Sequence, residues 1–143
     1  MYNSIMLLQV GFRLTDDRLF MGPIAVFPTT VLFWNVRAGK DINKGALSLF
    51  SVLEPKPDII VLGLETTYDY RKVKEIKRPL IEKGISVEVL PVEQACGIYN
   101  FLSEEGRYVV AGLIPPLPGA TLGQQRLKAS MEAIRNARPI EPE

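Results

Sequence analysis

The middle of the chain alternates strand-like with helix-like segments, and this alternation constrains the fold more than any other feature. Apolar runs rich in β-branched residues predict strands at residues 58–62, 85–90 and 108–114. Between them, helical spacing of apolar residues predicts helices over residues 69–84 and 92–105. Short connections between alternating strands and helices imply right-handed crossovers and a mostly parallel sheet.

The first third of the chain predicts antiparallel β structure. Residues 11–14 and 18–21 flank a polar turn and predict a hairpin, and two further strands are predicted at 24–27 and 31–36. A helix is predicted over residues 41–54, with Asp41 as its N-cap. The whole pattern predicts an α/β protein with a mixed β-sheet and helices on its faces, in which antiparallel N-terminal strands are followed by a βαβαβ unit.

Proline and glycine mark the limits of the predicted helices. Asp69 opens the helix over 69–84, and Gly84 is the residue expected to stop it. Pro79 lies inside this helix, where it removes one backbone hydrogen bond and clashes with the preceding turn. We therefore expect a kink at Pro79 or a break into two helices.

The chain of 143 residues fits one domain, which we place at residues 1–117. The proline-rich stretch that follows the last predicted strand indicates a linker into a C-terminal tail, residues 118–143. In the tail, four apolar residues recur at helical spacing and predict a helix over 124–137. These residues are Leu122, Leu127, Met131 and Ile134. A helix with so thin an apolar stripe is expected to dock on something or to fray.

Composition argues against most enzyme classes. The chain has no histidine, which is the commonest general base and transition-metal ligand, and it has one cysteine, Cys96. Cys96 falls on the apolar stripe of its helix, so we expect it to be buried and unreactive. The net charge of +1 gives no field to attract nucleic acid, and no apolar run approaches the ~20 residues that span a bilayer. The first ten residues lack the pattern of a targeting segment. We expect a binding or scaffold protein without cofactor or metal.

Two residues are candidates for a ligand pocket. Gly63 follows a parallel strand and precedes a helix, where open α/β sheets bind phosphates and cofactors. Asn100, at the edge of the buried stripe of its helix, could contact a ligand there. The alternatives are a purely structural turn at Gly63 and a structural hydrogen bond from Asn100, and the lone glycine favours them.

Two sets of residues are candidates for partner binding. Phe101 projects about 150° from the buried stripe of its helix, because each helical residue turns about 100°. A large aromatic side chain at that angle is exposed to water unless the chain's own loops, the tail or a partner covers it. Arg71, Lys74 and Arg78 form a basic helix face, which is either solvated or a docking surface for an acidic partner.

A series of short segments stands in a specific order and spacing. The segments are Gly22-Pro23, Phe27-Pro28, Trp34-Asn35-Val36, Ser48-Leu49-Phe50, Leu53-Glu54-Pro55, 84–89, 95–102, Glu105-Gly106-Arg107 and 111–116. Over about residues 11 to 117 this series resembles the mitochondrial complex I assembly factor 3 family. Two regions depart from the resemblance, an apolar insertion at 5–10 and the tail. Glu65 also stands where that family tends to carry the second glycine of Gly-x-Gly, and its carboxylate would repel an anion.

The resemblance implies a three-layer fold around a central mixed sheet and no enzymatic activity. It also implies residence in the mitochondrion, in the matrix or on the matrix side of the inner membrane. The implied function is early assembly of the quinone-binding arm of respiratory complex I, with a second assembly factor and quinone-arm subunits as partners. Any membrane association would be peripheral and through those partners. The alternative function is a small-molecule- or anion-binding α/β domain with its site near Gly63 and Asn100.

Overall fold

A five-stranded mixed sheet organises residues 4–116, which are the residues that the computed structural model describes. The elements in chain order are β1 (Ile5–Leu7), β2 (Gly11–Leu14), β3 (Leu19–Met21), β4 (Ile24–Phe27), β5 (Thr30–Phe33), α1 (Lys44–Ser51), β6 (Ile59–Leu64), α2 (Tyr70–Glu82), β7 (Val87–Pro91), α3 (Val92–Glu104) and β8 (Val109–Leu113). The strand order of the five-stranded sheet is β5-β4-β8-β6-β7. Strand β6 is parallel to both of its neighbours, whereas β4 is antiparallel to β8 and β5.

The helices divide between the two faces of this sheet. On one face, α1 and α2 bury Leu47, Phe50, Ile76 and Leu80 in a core shared with Trp34. On the other face, α3 packs its own apolar stripe. This separation follows from the crossovers, because α2 connects β6 to β7 in one direction along the sheet and α3 connects β7 to β8 in the other. Right-handed connections that run in opposite directions place their helices on opposite faces.

A second, three-stranded antiparallel sheet of order β1-β2-β3 lies beside α3. It buries Ile5, Phe12 and Leu14 in the same core as α3. The predicted α/β class, with three layers around a central mixed sheet, is therefore confirmed, and the N-terminal strands divide between two sheets. The residues predicted as an apolar insertion include β1, which pairs with β2 from Ile5↔Leu14 to Leu7↔Phe12.

The first predicted helix and the strand before it are both shorter than expected. The N-cap of α1 is Asn43, whose side-chain Oδ1 accepts a hydrogen bond from the Ala46 N–H at 2.8 Å. The predicted cap, Asp41, belongs instead to a separate 3-10 turn. Both residue types are good caps, so the sequence alone does not choose between them. Strand β5 ends at Phe33, after which the Trp34 indole donates a hydrogen bond to the Ala46 carbonyl at 2.9 Å.

Helix α2 runs without interruption through Pro79, so the predicted break into two helices is wrong. The carbonyl that loses its partner to the proline belongs to Glu75, four residues earlier, and Glu75 is exposed. Water can therefore satisfy this carbonyl. The predicted limits of α2 are confirmed, since the Asp69 side chain accepts from the Lys72 N–H and Gly84 has a φ of 76°. The predicted tail helix over 124–137 lies outside the described residues.

Gly63 lies within β6, not in a turn after it. A Cβ at this position would stand 2.6 Å from the Ala95 Cβ and 3.1 Å from the Val92 Cα, both in α3. The missing side chain therefore lets α3 lie directly on the central strand. Gly97 lies on the same helix but points away from the sheet, and a Cβ there would have no neighbouring element within 4 Å.

These two glycines give a matched stability test. We expect Gly63→Ala to lower the free energy of unfolding by about 1–3 kcal/mol, because the methyl group overpacks the α3–β6 contact. Gly97→Ala should raise it by about 0.5–1 kcal/mol, because alanine restricts the unfolded chain at an open helix position. Urea denaturation of both variants measures the difference. Equal effects of the two substitutions would contradict the packing described here.

Candidate functional site

The outer face of α2 carries the predicted basic residues, and all three are exposed. Arg71, Lys74 and Arg78 point away from the sheet because the opposite face of the helix is buried. The Lys74 ammonium lies 5.8 Å from the centre of the Tyr70 ring, which is 79% exposed. Ile81, also exposed, follows further along the helix. Sequence reasoning missed Tyr70, although its i,i+4 spacing from Lys74 places the two side chains together.

Positive charge dominates this face. Residues 70–83 contain six basic side chains and two acidic ones, Glu75 and Glu82. The Lys72 ammonium lies 3.4 Å from the Glu75 carboxylate, so one basic residue is partly neutralised. The rest of the set remains exposed or half-buried without an ion pair among residues 4–116. The face suits a negatively charged surface with room for an aromatic contact.

The outer face of α3 has the opposite charge and an apolar centre. Phe101 is 61% exposed, and Ile98, three residues earlier and therefore adjacent on the helix surface, is 37% exposed. The described loops do not cover Phe101, so that predicted alternative is wrong, while cover by the tail lies outside the described range. Glu93, Glu104 and Glu105 are exposed on or next to the helix. Residues 92–105 contain no basic side chain.

The two candidate ligand residues have structural contacts instead of a shared pocket. The Asn100 amide joins α3 to β1, because its Oδ1 accepts from the Ile5 N–H and its Nδ2 donates to the Ile5 carbonyl, both at 2.9 Å. Asn100 also borders a shallow depression together with Arg13 and Asp17. Gly63 does not line that depression, since it is buried under α3.

A buried carboxylate at the end of β6 is a feature that the sequence did not reveal. Glu65 is 3% exposed, and its Oε1 accepts a hydrogen bond from the Gly39 N–H at 2.9 Å. The Tyr68 hydroxyl donates to its Oε2 and accepts from the Lys40 N–H at 3.1 Å. Glu65 therefore occupies the position beyond the strand at which an open α/β sheet would hold an external anion.

Cys96 is buried in the core beneath α3, as predicted. Burial raises the pKa of its thiol to about 12, which leaves almost no thiolate near neutral pH. The thiol therefore contributes packing rather than nucleophilic chemistry. No group of metal-ligand side chains occurs among residues 4–116, and none of their helices is long and apolar enough to cross a membrane.

The hydrogen bond between Tyr68 and Glu65 gives a pH-dependent prediction. Burial and the Glu65 carboxylate raise the pKa of Tyr68 from 10.0 to about 12, so folding favours the protonated phenol. Its contribution to stability is present below about pH 10 and is lost as the pH rises towards 12. Tyr68→Phe should lower stability near neutral pH by about 1–3 kcal/mol, because one Glu65 oxygen loses its donor.

The measurement is urea denaturation at about pH 8 and about pH 11. Wild type should lose more stability between these values than Tyr68→Phe does. Tyr99, whose pKa is also raised by burial, is present in both proteins, so the difference isolates Tyr68. Tyr70→Phe, at an exposed ring, is the control and should follow wild type. The same loss in Tyr68→Phe and wild type would contradict the assigned hydrogen bond.

Known proteins similar to this chain agree with the resemblance found in the sequence. A family profile described as "Protein of unknown function (DUF498/DUF598)" matches residues 7–114. The "NADH dehydrogenase [ubiquinone] 1 alpha subcomplex assembly factor 3" of Drosophila melanogaster is 46% identical over 113 residues, which cover 76% of this chain and 56% of the relative. The human protein of that name is 40% identical over 111 residues, which cover 78% of this chain and 59% of the relative. The chain thus spans somewhat more than half the length of these curated relatives.

Solved structures share the fold. A crystal structure of a Bordetella parapertussis protein is 27% identical, with a TM-score of 0.67 over 80% of this chain and 96% of that one. A Mth938-like domain of Bordetella pertussis, solved by NMR, is 24% identical, with a TM-score of 0.62 over 79% of this chain and 85% of that one. The chain belongs to the DUF498/DUF598 family, has the Mth938-like fold, and is similar to the assembly factor 3 proteins named above.

Proposed function

We propose that this protein is an assembly factor for respiratory complex I and that it acts through protein–protein contacts without catalysis. The observation that carries the proposal is the 46% identity over 113 residues with a relative named as a complex I assembly factor. The family profile, which matches residues 7–114, includes both helices whose outer faces are described above. Histidine is absent from the sequence and the one thiol is buried with a pKa of about 12, which accords with a role in binding.

The arrangement of charge supports simultaneous contact with two partners. The basic face of α2 and the acidic face of α3 lie on opposite sides of the central sheet. A scaffold of this kind can hold an acidic surface on one side and a basic surface on the other, and charge complementarity then selects each partner. We assign these roles to a second assembly factor and to quinone-arm subunits of complex I, early in assembly of the quinone-binding arm.

Location follows from the same proposal. Because of these partners, we assign the protein to the mitochondrial matrix or to the matrix side of the inner membrane. We assign any membrane association of the protein to these partners.

Phe101 is the proposed anchor on α3. A large aromatic ring with an apolar neighbour, Ile98, and a charged rim has the composition of an interface centre. The alternative function, a small-molecule- or anion-binding domain near Gly63 and Asn100, has weaker support. Gly63 is buried under α3, the Asn100 amide is bonded to Ile5, and the Glu65 carboxylate fills the anion position.

The anchor is tested with Phe101→Ala. We expect the affinity for the α3 partner to fall at least about tenfold, which corresponds to ~1.4 kcal/mol, while the melting temperature stays nearly unchanged. Tagged full-length protein is used to capture complexes from mitochondria, and quinone-arm subunits and assembly factors are quantified. Val52→Ala, at a side chain that is 69% exposed near the end of α1, is the matched control. If Phe101→Ala captures as much of every partner as wild type does, the outer face of α3 is not part of the interface.

The basic face is tested separately by charge reversal. Lys74→Glu with Arg78→Glu should abolish capture of one partner and reduce the salt dependence of binding, because exposed charges act through a screened field. Arg37→Glu with Lys44→Glu reverses two exposed charges outside α2 and is the control. Two different partners lost by Phe101→Ala and by the α2 reversal would support the two-sided scaffold. Loss of the same partner in both would show a single interface that wraps around the molecule.

A further inference from the structure

The outer faces of α2 and α3 are complementary in charge to each other. The basic face of α2 includes three exposed cations, and the acidic face of α3 includes three exposed carboxylates. These residues are Arg71, Lys74 and Arg78 on α2, and Glu93, Glu104 and Glu105 on or next to α3. Each helix has 13 residues and is therefore about 20 Å long. The two faces match in length as well as being opposite in sign.

An exposed aromatic ring lies among the carboxylates of the acidic face. At about 100° per residue, Glu104 lies about 60° from Phe101 on one side, and Glu105 lies about 40° from it on the other. Gly97 is one turn before Phe101, and a Cβ there would meet nothing within 4 Å, so the ring stands beside a shallow notch. A cation is attracted to such a face both by the carboxylates and by the ring.

The basic face combines cations with apolar groups in the same way. The exposed side chains of Tyr70 and Ile81 lie within about 20° of each other on α2. Lys74 and Arg78 lie beside them, at about 20° and about 60° from Ile81. Each face therefore offers what the other lacks, and both carry an exposed aromatic ring.

The charges of both faces are left without ion pairs in the described part of the chain. In residues 4–116 the ion pair on α2 joins Lys72 to Glu75, which leaves the three cations of the basic face unpaired. Arg107 is the basic residue nearest in sequence to the acidic face, and its Nε lies 3.5 Å from the Asp58 carboxylate. The charged groups of both faces are therefore available to another molecule.

The central sheet keeps the two faces of one molecule apart. Because α2 and α3 cover opposite faces of that sheet, their outer sides point in opposite directions and cannot meet within one chain. Between two copies, the basic face of one can lie on the acidic face of the next. Such a head-to-tail contact joins two different surfaces, so one basic and one acidic face stay free at the ends of any assembly.

We propose that a second copy of this chain docks head to tail on the first, with the basic face of α2 against the acidic face of α3. In this contact, the cations Lys74 and Arg78 lie around the Phe101 ring and pair with Glu104 and Glu105. The inference rests on the two faces of this chain alone and goes beyond the proposed assembly function. Where the same faces bind partners, a partner and a second copy exclude each other.

The contact is expected to be weak and dependent on salt. A single pair of helices about 20 Å long buries several hundred Å², well below the ~1,600 Å² of a standard stable interface. Its charges are exposed, and salt shortens the range of their attraction from about 10 Å at 0.1 M to about 3 Å at 1 M. We therefore expect association at high protein concentration, with an association constant at least about tenfold lower at 1 M salt than at 0.1 M.

Analytical ultracentrifugation of the purified full chain tests the contact. At low salt, the average mass of wild type should rise with protein concentration and should not stop at a dimer, because each added copy leaves a face free. Lys74→Glu with Arg78→Glu disables the basic face, and Phe101→Arg disables the acidic face. Each of these variants alone should show an association constant at least about tenfold lower than that of wild type. All three substituted side chains are exposed, so the melting temperatures should stay close to that of wild type.

Mixing the two variants separates a head-to-tail contact from any other. The α2 variant keeps its acidic face and the Phe101→Arg variant keeps its basic face, so an equal mixture should form heterodimers and nothing longer. The control mixes the Phe101→Arg variant with a chain that carries all three substitutions. These two proteins have net charges of opposite sign but no complementary pair of faces, so they should stay monomeric.

Three results would overturn the proposal. The first is wild type that remains monomeric at low salt and high concentration. The second is self-association that persists in either variant alone, which would place the contact elsewhere on the surface. The third is equal association in the test and control mixtures, which would assign the attraction to net charge. Since the purified chain is studied without partners, none of these results bears on the capture of complex I proteins.

Discussion

The described fold depends on complete burial of one strand. After Ile59, every residue of β6 is buried, and parallel neighbours pair with it on both sides. A strand in this position requires cover on both faces, which α1 and α2 supply on one side and α3 on the other. Gly63 brings α3 into direct contact with β6, so the burial depends on one missing methyl group. The separation of a basic α2 from an acidic α3 follows from this arrangement, because the helices that cover the strand must lie on opposite sides.

Local patterns predicted most elements, and distant contacts account for the differences. The buried strand at 58–62 and the capped helix at Asp69 could be identified because their signals lie within a few neighbouring residues. The division of the N-terminal strands into two sheets could not, since it depends on pairing partners far along the chain. The choice of Asn43 over Asp41 as a cap depends on the turn that precedes the helix, and that turn is held by the distant Glu65 and Tyr68.

The candidate surfaces were predictable to a similar extent. The outward angle of Phe101 follows from a helix whose buried stripe is evident in the sequence, and the side chain is exposed because the loops that could have covered it do not. Tyr70 was missed because an aromatic residue at the start of a helix is as readily buried as exposed. The exposed apolar side chains on the outer face of the three-stranded sheet, Met6, Leu19 and Met21, were missed for another reason. Alternating apolar residues in short strands do not reveal which face of the sheet is covered.

The hydrogen bonds of Asn100 do more than satisfy its half-buried side-chain amide. Its side chain presents one donor and one acceptor to Ile5, as a neighbouring strand would, and thereby attaches α3 to the three-stranded sheet. Phe101 is the next residue on one side of this attachment, and Met6 is the next on the other. The acidic face of α3, which carries Phe101, is thus joined to the outer face of the three-stranded sheet, which carries Met6, by one pair of hydrogen bonds. A rotation of α3 large enough to reposition Phe101 must therefore either carry β1 with it or break that pair of hydrogen bonds.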